Sequence, residues 1–279
     1  MTATLHTAPV TIPDTTDQRV VRRRLGPGHR IRFSFWFGPA LALAIWSIGS
    51  ATGLIKPAIL SAPWDVVVAF QDQWVNHDLL GNIVASLQRS LVGLTLGVVT
   101  GAVLAVISGL SRFGESLIDG PIQIKRSVPT LAIIPLFIAW FGIGEEMKVI
   151  TIALISLVPI YIHTHNGLRG IDGKYAELAE TIGINHGEFI RHVVLPGALP
   201  GFLLGMRFAV TSSLLGLVVV EHYNAVAGIG YMITLAEQYG QTDVIVVGLV
   251  IYGIFGYCAD SAVRFTGRRV LAWRQTLEG

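Results

Sequence analysis

Six stretches of this chain run for about the length of a bilayer crossing with almost no charged side chain, and that constrains the fold more than any other feature. A hydrocarbon core about 30 Å thick is crossed by about 20 apolar residues, because an α-helix rises 1.5 Å per residue. The stretches are Phe33–Ile55, Leu91–Leu110, Ser127–Gly144, Val149–Leu168, Gly197–Val220 and Val244–Val263. Only Arg207 and Asp260 interrupt them. A central charge costs at least about 2.5 kcal/mol on insertion scales, so both are expected near an interface. The chain is 52% hydrophobic and 14% charged, well below the roughly 25% charge of soluble domains. An all-α membrane protein follows. The lipid bilayer is the first partner, and no nucleic-acid partner is expected.

The first run could be mistaken for a signal peptide, since Arg19, Arg22, Arg23, Arg24, Arg30 and Arg32 precede it. It is longer than the 7 to 15 residues of a cleavable core, so it reads as a retained helix. Orientation follows from the excess of Lys and Arg in cytoplasmic loops. With the N-terminus inside, the cytoplasmic set comprises those six arginines, Arg112, Lys125, Arg126, Arg169, Lys174, Arg191, Arg264, Arg268, Arg269 and Arg274, the large majority of the 20 basic residues. Only Lys56, Arg89 and Lys148 fall outside, with Arg207 within a span. The reading is six transmembrane helices with both termini cytoplasmic: a tail over 1–32, a transmembrane domain over 33–263, and a tail over 264–279.

Glycine and proline recur inside the spans: Gly93, Gly97, Gly101 and Gly109 in the second, Pro129 and Pro135 in the third, Pro159 in the fourth. In lipid, small residues let helices approach closely, and neighbouring helices can satisfy backbone groups that proline releases. Tight packing accounts for them. A moving pathway lined by the third and fourth helices is the sharper alternative, with Pro129 and Pro135 as candidate gate positions.

The segment 169–196 is the longest polar interruption after the N-terminal tail. Asp172 can cap a short helix whose Tyr175, Leu178, Ala179 and Ile182 fall at helical spacing, and Gly183 ends it. Asn185, with Glu188 three residues later, can open a second helix carrying Phe189, Ile190, Val193 and Val194 on one side. Pro196 and Pro200 redirect the chain into the fifth span. Such a helix pair is either an interfacial connector or a rigid knob that fits a groove on a soluble partner.

Glu177-Leu178-Ala179, three residues, Gly183, nine residues, Val193, one residue, then Leu195-Pro196 resembles the EAA loop of binding-protein-dependent ABC permeases. The departures, Leu178 for alanine and Val193 for isoleucine, are apolar and mild. The resemblance implies a type I ABC importer permease fold and an ATPase-coupling role for Glu177, Ala179, Gly183, Leu195 and Pro196. It extends over about residues 80 to 275. Ser86-Leu87-Gln88-Arg89, Ser127 to Leu136, Trp140-Phe141-Gly142-Ile143-Gly144, Gly228-Ile229-Gly230-Tyr231 and Thr242-Asp243-Val244 resemble the nitrate, sulfonate, taurine and bicarbonate permease group, above all the aliphatic sulfonate permeases. A thiamine-precursor pyrimidine is a further substrate this resemblance leaves open. It implies a homodimer, two ABC ATPase subunits that bind ATP and Mg, an extracytoplasmic solute-binding protein and a place in the inner membrane.

The chain itself is expected to be neither an enzyme nor a nucleotide binder. Gly173-Lys174 ends like a Walker A motif, but Leu168 and Tyr175 stand where its first glycine and its Ser or Thr belong. No cofactor or metal is expected in the chain. The single Cys258 excludes a multi-thiolate site, and His163 and His165 point about 200° apart on a helix. Arg89, Arg207 and Glu221 are the charged residues that could meet a passing anion or gate its path. Structural anchoring is the plainer role for the arginines. Glu221, with Glu145 and Glu146, reads as solvated loop charge or as a contact for a binding protein. A gradient-driven secondary transporter is the competing class, disfavoured by the absence of ionisable residues buried in the spans.

Overall fold

A computed structural model describes residues 34–273 except Asn224, with side chains from residue 37 onward. The N-terminal tail with its six arginines, and Arg274 with the rest of the C-terminal end, lie outside the described residues. The chain divides into two compact units, Met1–Ile45 and Trp46–Gly279. In the first, the described residues are the opening of helix α1 (Ser34–Ala51). The architecture below is that of the second.

After α1 come α2 (Pro63–Asn76), α3 (Leu79–Leu110), α4 (Arg112–Ser127), α5 (Thr130–Phe141) and α6 (Glu145–Arg169). They are followed by α7 (Lys174–Thr181), α8 (His186–Phe189) and a π-helical turn, Ile190–Val194, that leads into α9 (Leu195–His222). The last two are α10 (Ile229–Gln238) and α11 (Thr242–Val270). Among the described residues, four helices are long and apolar enough to cross a membrane: α3, α6, the run from α8 through α9, and α11. The pair α4 and α5 makes a fifth if the bent pair counts as one span.

The third apolar stretch departs from its expected form. A continuous helix over Ser127–Gly144 is replaced by α5 alone, 12 residues or about 18 Å long, set at 102° to α4. Pro129 is the reason. It lacks a donor N–H and disfavours the α region at Val128, which is extended at φ −90° and ψ 120°. Helices α2, α4 and α10 lie outside the six apolar runs. The short amphipathic α4 reads as loop in a search tuned to crossings.

The bundle is inverted relative to a soluble protein. Leu96, Val99, Val103 and Ile107 of α3 are exposed, whereas Ser86, Arg89, Ser90 and Ser108 of the same helix are buried. Lipid gives no hydrophobic force between helices, so association rests on close packing and hydrogen bonds. Along α3, Gly93, Gly97 and Gly101 face α6. A Cβ at Gly93 would lie 2.7 Å from the Ile152 Cβ, one at Gly97 2.7 Å from the Ser156 Cβ, and one at Gly101 2.7 Å from the Leu157 carbonyl oxygen. An adjacent face of α6 meets α9 in the same way, with Gly205 placing a Cβ 2.9 Å from the Pro159 carbonyl oxygen. Helix α6 is therefore held between two glycine seams. Ile134, Ile152, Leu217 and Val220 join α5, α6 and α9, and a second cluster of Leu79, Ile229, Met232 and Val247 joins α3, α10 and α11.

Gly97→Val should overpack the first seam against backbone that cannot yield, at a cost of about 1–3 kcal/mol or more. The expected result is a lower thermal midpoint for the detergent-solubilised protein. Gly253→Ala on α11, where a Cβ would meet no atom within 4 Å, should leave that midpoint unchanged or slightly raised. Equal midpoints for the two variants would refute the seam.

Candidate functional site

Helices α3, α6 and α9 share two ends. At one lies the loop between α6 and α9, and at the other lie Arg89, Glu145 and Glu221.

The loop folds as its residues dictate. The Asp172 carboxylate accepts the Lys174 N–H at 3.0 Å and opens α7. Gly183 closes it in the left-handed region at φ 73°. The Gly183 N–H donates to the Glu180 carbonyl at 3.2 Å and the Ile184 N–H to the Ala179 carbonyl at 2.9 Å, the paired bonds of a Schellman motif. Asn185 Oδ1 then accepts the Glu188 N–H at 2.9 Å and starts α8. Phe189, Ile190 and Val194 pack with Leu168, Ala198 and Val106, fixing the second half of the loop to the bundle. Ala179 is 6% exposed and supports α7 from beneath. Tyr175, Leu178 and Ile182 are 56%, 56% and 61% exposed, so the spacing that grouped them with Ala179 leaves an apolar ridge facing outward. Glu177 and Leu195 are exposed and Pro196 is half-buried.

At the other end, Glu221 is 1% exposed. Its carboxylate accepts from Ser86 Oγ at 2.7 and 2.8 Å, Arg89 Nη1 at 2.7 Å, the Gly230 N–H at 2.8 Å and Tyr252 OH at 2.9 Å. Arg89 also donates through Nε and Nη2 to both oxygens of Glu145, and through Nη1 to the Ala227 carbonyl at 2.6 Å. Lys148, 2% exposed, donates to Glu145 at 2.9 Å. Two cations and two carboxylates cancel, so charge is buried without net charge. The reading of Glu221 as a solvated or docking charge is thus corrected. Glu145 is half exposed yet committed to Arg89 and Lys148. Ionisable residues are buried here after all, at the helix ends, where they satisfy one another.

This cluster explains three motifs quoted above. Ser86 and Arg89 lie on one face of α3. Gly228, at φ 122°, and Gly230 bring their backbones against Glu221, and a Cβ on either would lie 2.5 Å from a Glu221 side-chain atom. Gly142 ends α5, and Gly144 opens α6 at Glu145. Thr242 donates to the Pro57 carbonyl at 2.9 Å and meets Ser61 Oγ at 2.5 Å, tying α11 to the segment after α1.

The charges interrupting the spans find each other. Arg207 Nε donates to Asp260 Oδ1 at 2.7 Å, and Arg264 reaches the other oxygen at 3.1 Å. At 1.5 Å per residue Arg207 lies about 21 Å along α9 from Glu221, towards the loop end. Pro129 immediately precedes the first turn of α5 and Pro135 lies inside the helix. His163 stacks on Phe208, and His165 on Tyr161.

The family described as "Binding-protein-dependent transport system inner membrane component" matches residues 93–272. The chain is 37% identical over 267 residues to a protein of Bacillus subtilis (strain 168) named as an aliphatic sulfonates transport permease, covering 95% of this chain and 96% of that one. It is 41% identical over 243 residues to a protein of the same name from Escherichia coli (strain K12), covering 87% and 92%. Its backbone is similar to a chain of an amino acid ABC transporter solved with histidines, at TM-score 0.58 and 18% identity, over 73% of this chain and 96% of that one. That likeness speaks to the fold. The profile match and the two long alignments together place the chain in the family of inner membrane components of binding-protein-dependent transport systems.

Proposed function

We propose that the chain is the permease subunit of an ATP-driven importer that moves a small organic anion, an aliphatic sulfonate, across the inner membrane by alternating access. Two copies of the permease, each with six spans and both termini on the cytoplasmic side, work with two ABC ATPase subunits that bind ATP and Mg. An extracytoplasmic solute-binding protein delivers the anion. The terminal tails flank the transmembrane domain on the cytoplasmic side. The relatives named for aliphatic sulfonates support the substrate class.

The observation that carries the coupling role is the apolar ridge Tyr175, Leu178 and Ile182 on a helix that the bundle leaves uncovered. Burying such a ridge in a groove of a soluble ATPase would release water from it, and the Gly183 corner fixes the angle at which α7 projects. Phe189, Ile190 and Val194 tie α8 to the bundle, so a push on α7 reaches the ends of α6 and α9 as movement of packed helices. The cluster around Arg89 holds the opposite ends of α3, α6 and α9 while the loop end moves. Arg89 and Glu221 are then anchors of the bundle, since four of the five Arg89 N–H donors are already engaged and both Glu221 oxygens are paired.

Three outcomes follow. Proteoliposomes holding the permease with its ATPase and binding protein should accumulate an alkanesulfonate only with ATP. Accumulation by the permease alone under an ion gradient would refute the importer reading. Gly183→Val forces a β-branched residue into the left-handed region, at about 1–2 kcal/mol, and should lower sulfonate-stimulated ATP hydrolysis. Gly183→Asn should retain it, since no atom lies within 4 Å of a Cβ there. Unchanged stimulation in the valine variant would remove the corner from the mechanism. Glu221→Gln leaves Arg89 half-paired in a buried site and should destabilise the protein by about 3–5 kcal/mol. Glu145→Gln, at a half-exposed position, should cost less, and thermal unfolding of both variants ranks them.

A further inference from the structure

Among the described lysines and arginines, Arg89 and Lys148 are buried and Lys125 is half-buried. Arg89 and Lys148 have carboxylate partners. Lys125 has none among the described residues. The other cations without a carboxylate partner are exposed.

The position of Lys125 makes this notable. Its place in the sequence suggests a cytoplasmic loop, but α4 turns it inward. Ile122 packs against Ala105 and Tyr161, and Lys125, one turn later, shares that face of the helix. The ammonium donates to the Leu154 carbonyl of α6 at 2.7 Å and to Thr130 Oγ1 at 3.0 Å. Leu154 lies about 14 Å along α6 from Glu145 and about 22 Å from Arg169, so the charge reaches towards the middle of a core about 30 Å thick. A cation at that depth is costly unless something balances it, and an intramembrane ionisable residue is a functional-site hypothesis by default.

Both partners of Lys125 are neutral. An ammonium has three donors, and two are occupied. The bend at Pro129 leaves the position incompletely covered: Lys125 and Thr130 are half-buried, Val128 and Pro129 between them are exposed, and α5 begins there with no side-chain hydrogen bond to its first amides. The first amides of α5 therefore add partial positive charge beside Thr130.

We propose that Lys125, with Thr130 beside it, is the contact for the transported anion inside the membrane: the anion supplies the negative charge that the protein withholds. The assignment rests on the importer reading above. A sulfonate suits the site because it stays ionised and offers three acceptor oxygens to one free ammonium donor and a hydroxyl. A single charge-assisted contact holds the anion loosely enough to be released on the far side. The paired cations, Arg89 and Lys148, compete little for it.

The test uses the assembled importer, permease with ATPase and binding protein, in proteoliposomes, with ethanesulfonate as probe. Lys125→Met should lower ATP-dependent uptake per assembled complex at least about tenfold, and Lys125→Arg should stay within about threefold of the unchanged protein. Cys258 is exposed, so a Cys258→Ser background permits a second measurement that separates charge from packing. In it, Lys125→Cys treated with aminoethyl methanethiosulfonate, which returns a positive charge, should regain uptake, whereas sulfonatoethyl methanethiosulfonate should not. Ethanesulfonate should also slow modification of that thiol. Uptake by Lys125→Met within twofold of the unchanged importer, or equal rescue by both reagents, overturns the inference while leaving the importer reading intact. Failure of the unchanged importer to take up ethanesulfonate would refute the sulfonate reading and this assignment with it.

Discussion

The approach of α3 to α6 is the contact on which the other features depend. In a bilayer no hydrophobic gain pulls two apolar helices together, so they must come close enough for packing and polar contacts to count. Gly93, Gly97 and Gly101 supply that closeness, since a Cβ at any of them would strike α6. Arg89 is one turn before Gly93 on α3, and the seam sets it against Glu145 at the start of α6. The second seam, from α6 to α9, brings Glu221 within reach of the same guanidinium. A buried ion network is expensive to assemble, and it survives here because four charges cancel and Ser86, Gly230 and Tyr252 satisfy the Glu221 oxygens that remain.

The two ends of the bundle are built for different work. Around Arg89, side chains and backbone from α3, α6, α9, α10 and α11 interlock, and glycines at 228 and 230 let the chain lie against Glu221. At the loop end an apolar cluster of Leu168, Phe189, Ile190, Val194 and Ala198 holds the loop, and α7 projects with an uncovered ridge. The Schellman corner at Gly183 and the cap at Asn185 fix the angle of the projecting part, which the proposed coupling role requires.

Between these ends lies the break at Pro129, where α5 replaces a full crossing by a half-length helix and α4 folds back along the bundle. Polar groups are tolerated at membrane depth only where protein or a cavity surrounds them. The Leu154 carbonyl and the Lys125 ammonium satisfy each other at this depth, and Lys125 keeps one donor beyond that.

Much of this was legible in the order of residues alone. The long apolar runs at Leu91–Leu110, Val149–Leu168, Gly197–Val220 and Val244–Val263 fall inside α3, α6, α9 and α11, because lipid imposes a length and a composition that need no knowledge of neighbours. The caps at Asp172 and Asn185 and the glycine corner at 183 are local chemistry, and local chemistry is written in adjacent residues. What only the tertiary structure decided is which charges meet. Glu221 lies 132 positions from Arg89, and Lys125 is 29 from Leu154, so neither contact has a local signature. A glutamate after an apolar run looks solvated, and a lysine before one looks like an interfacial anchor. Electrostatic energy depends on distance and surroundings in space. Only once the glycine seams have fixed the helices does the fold show that Glu221 is neutralised and that Lys125, among the described residues, is not.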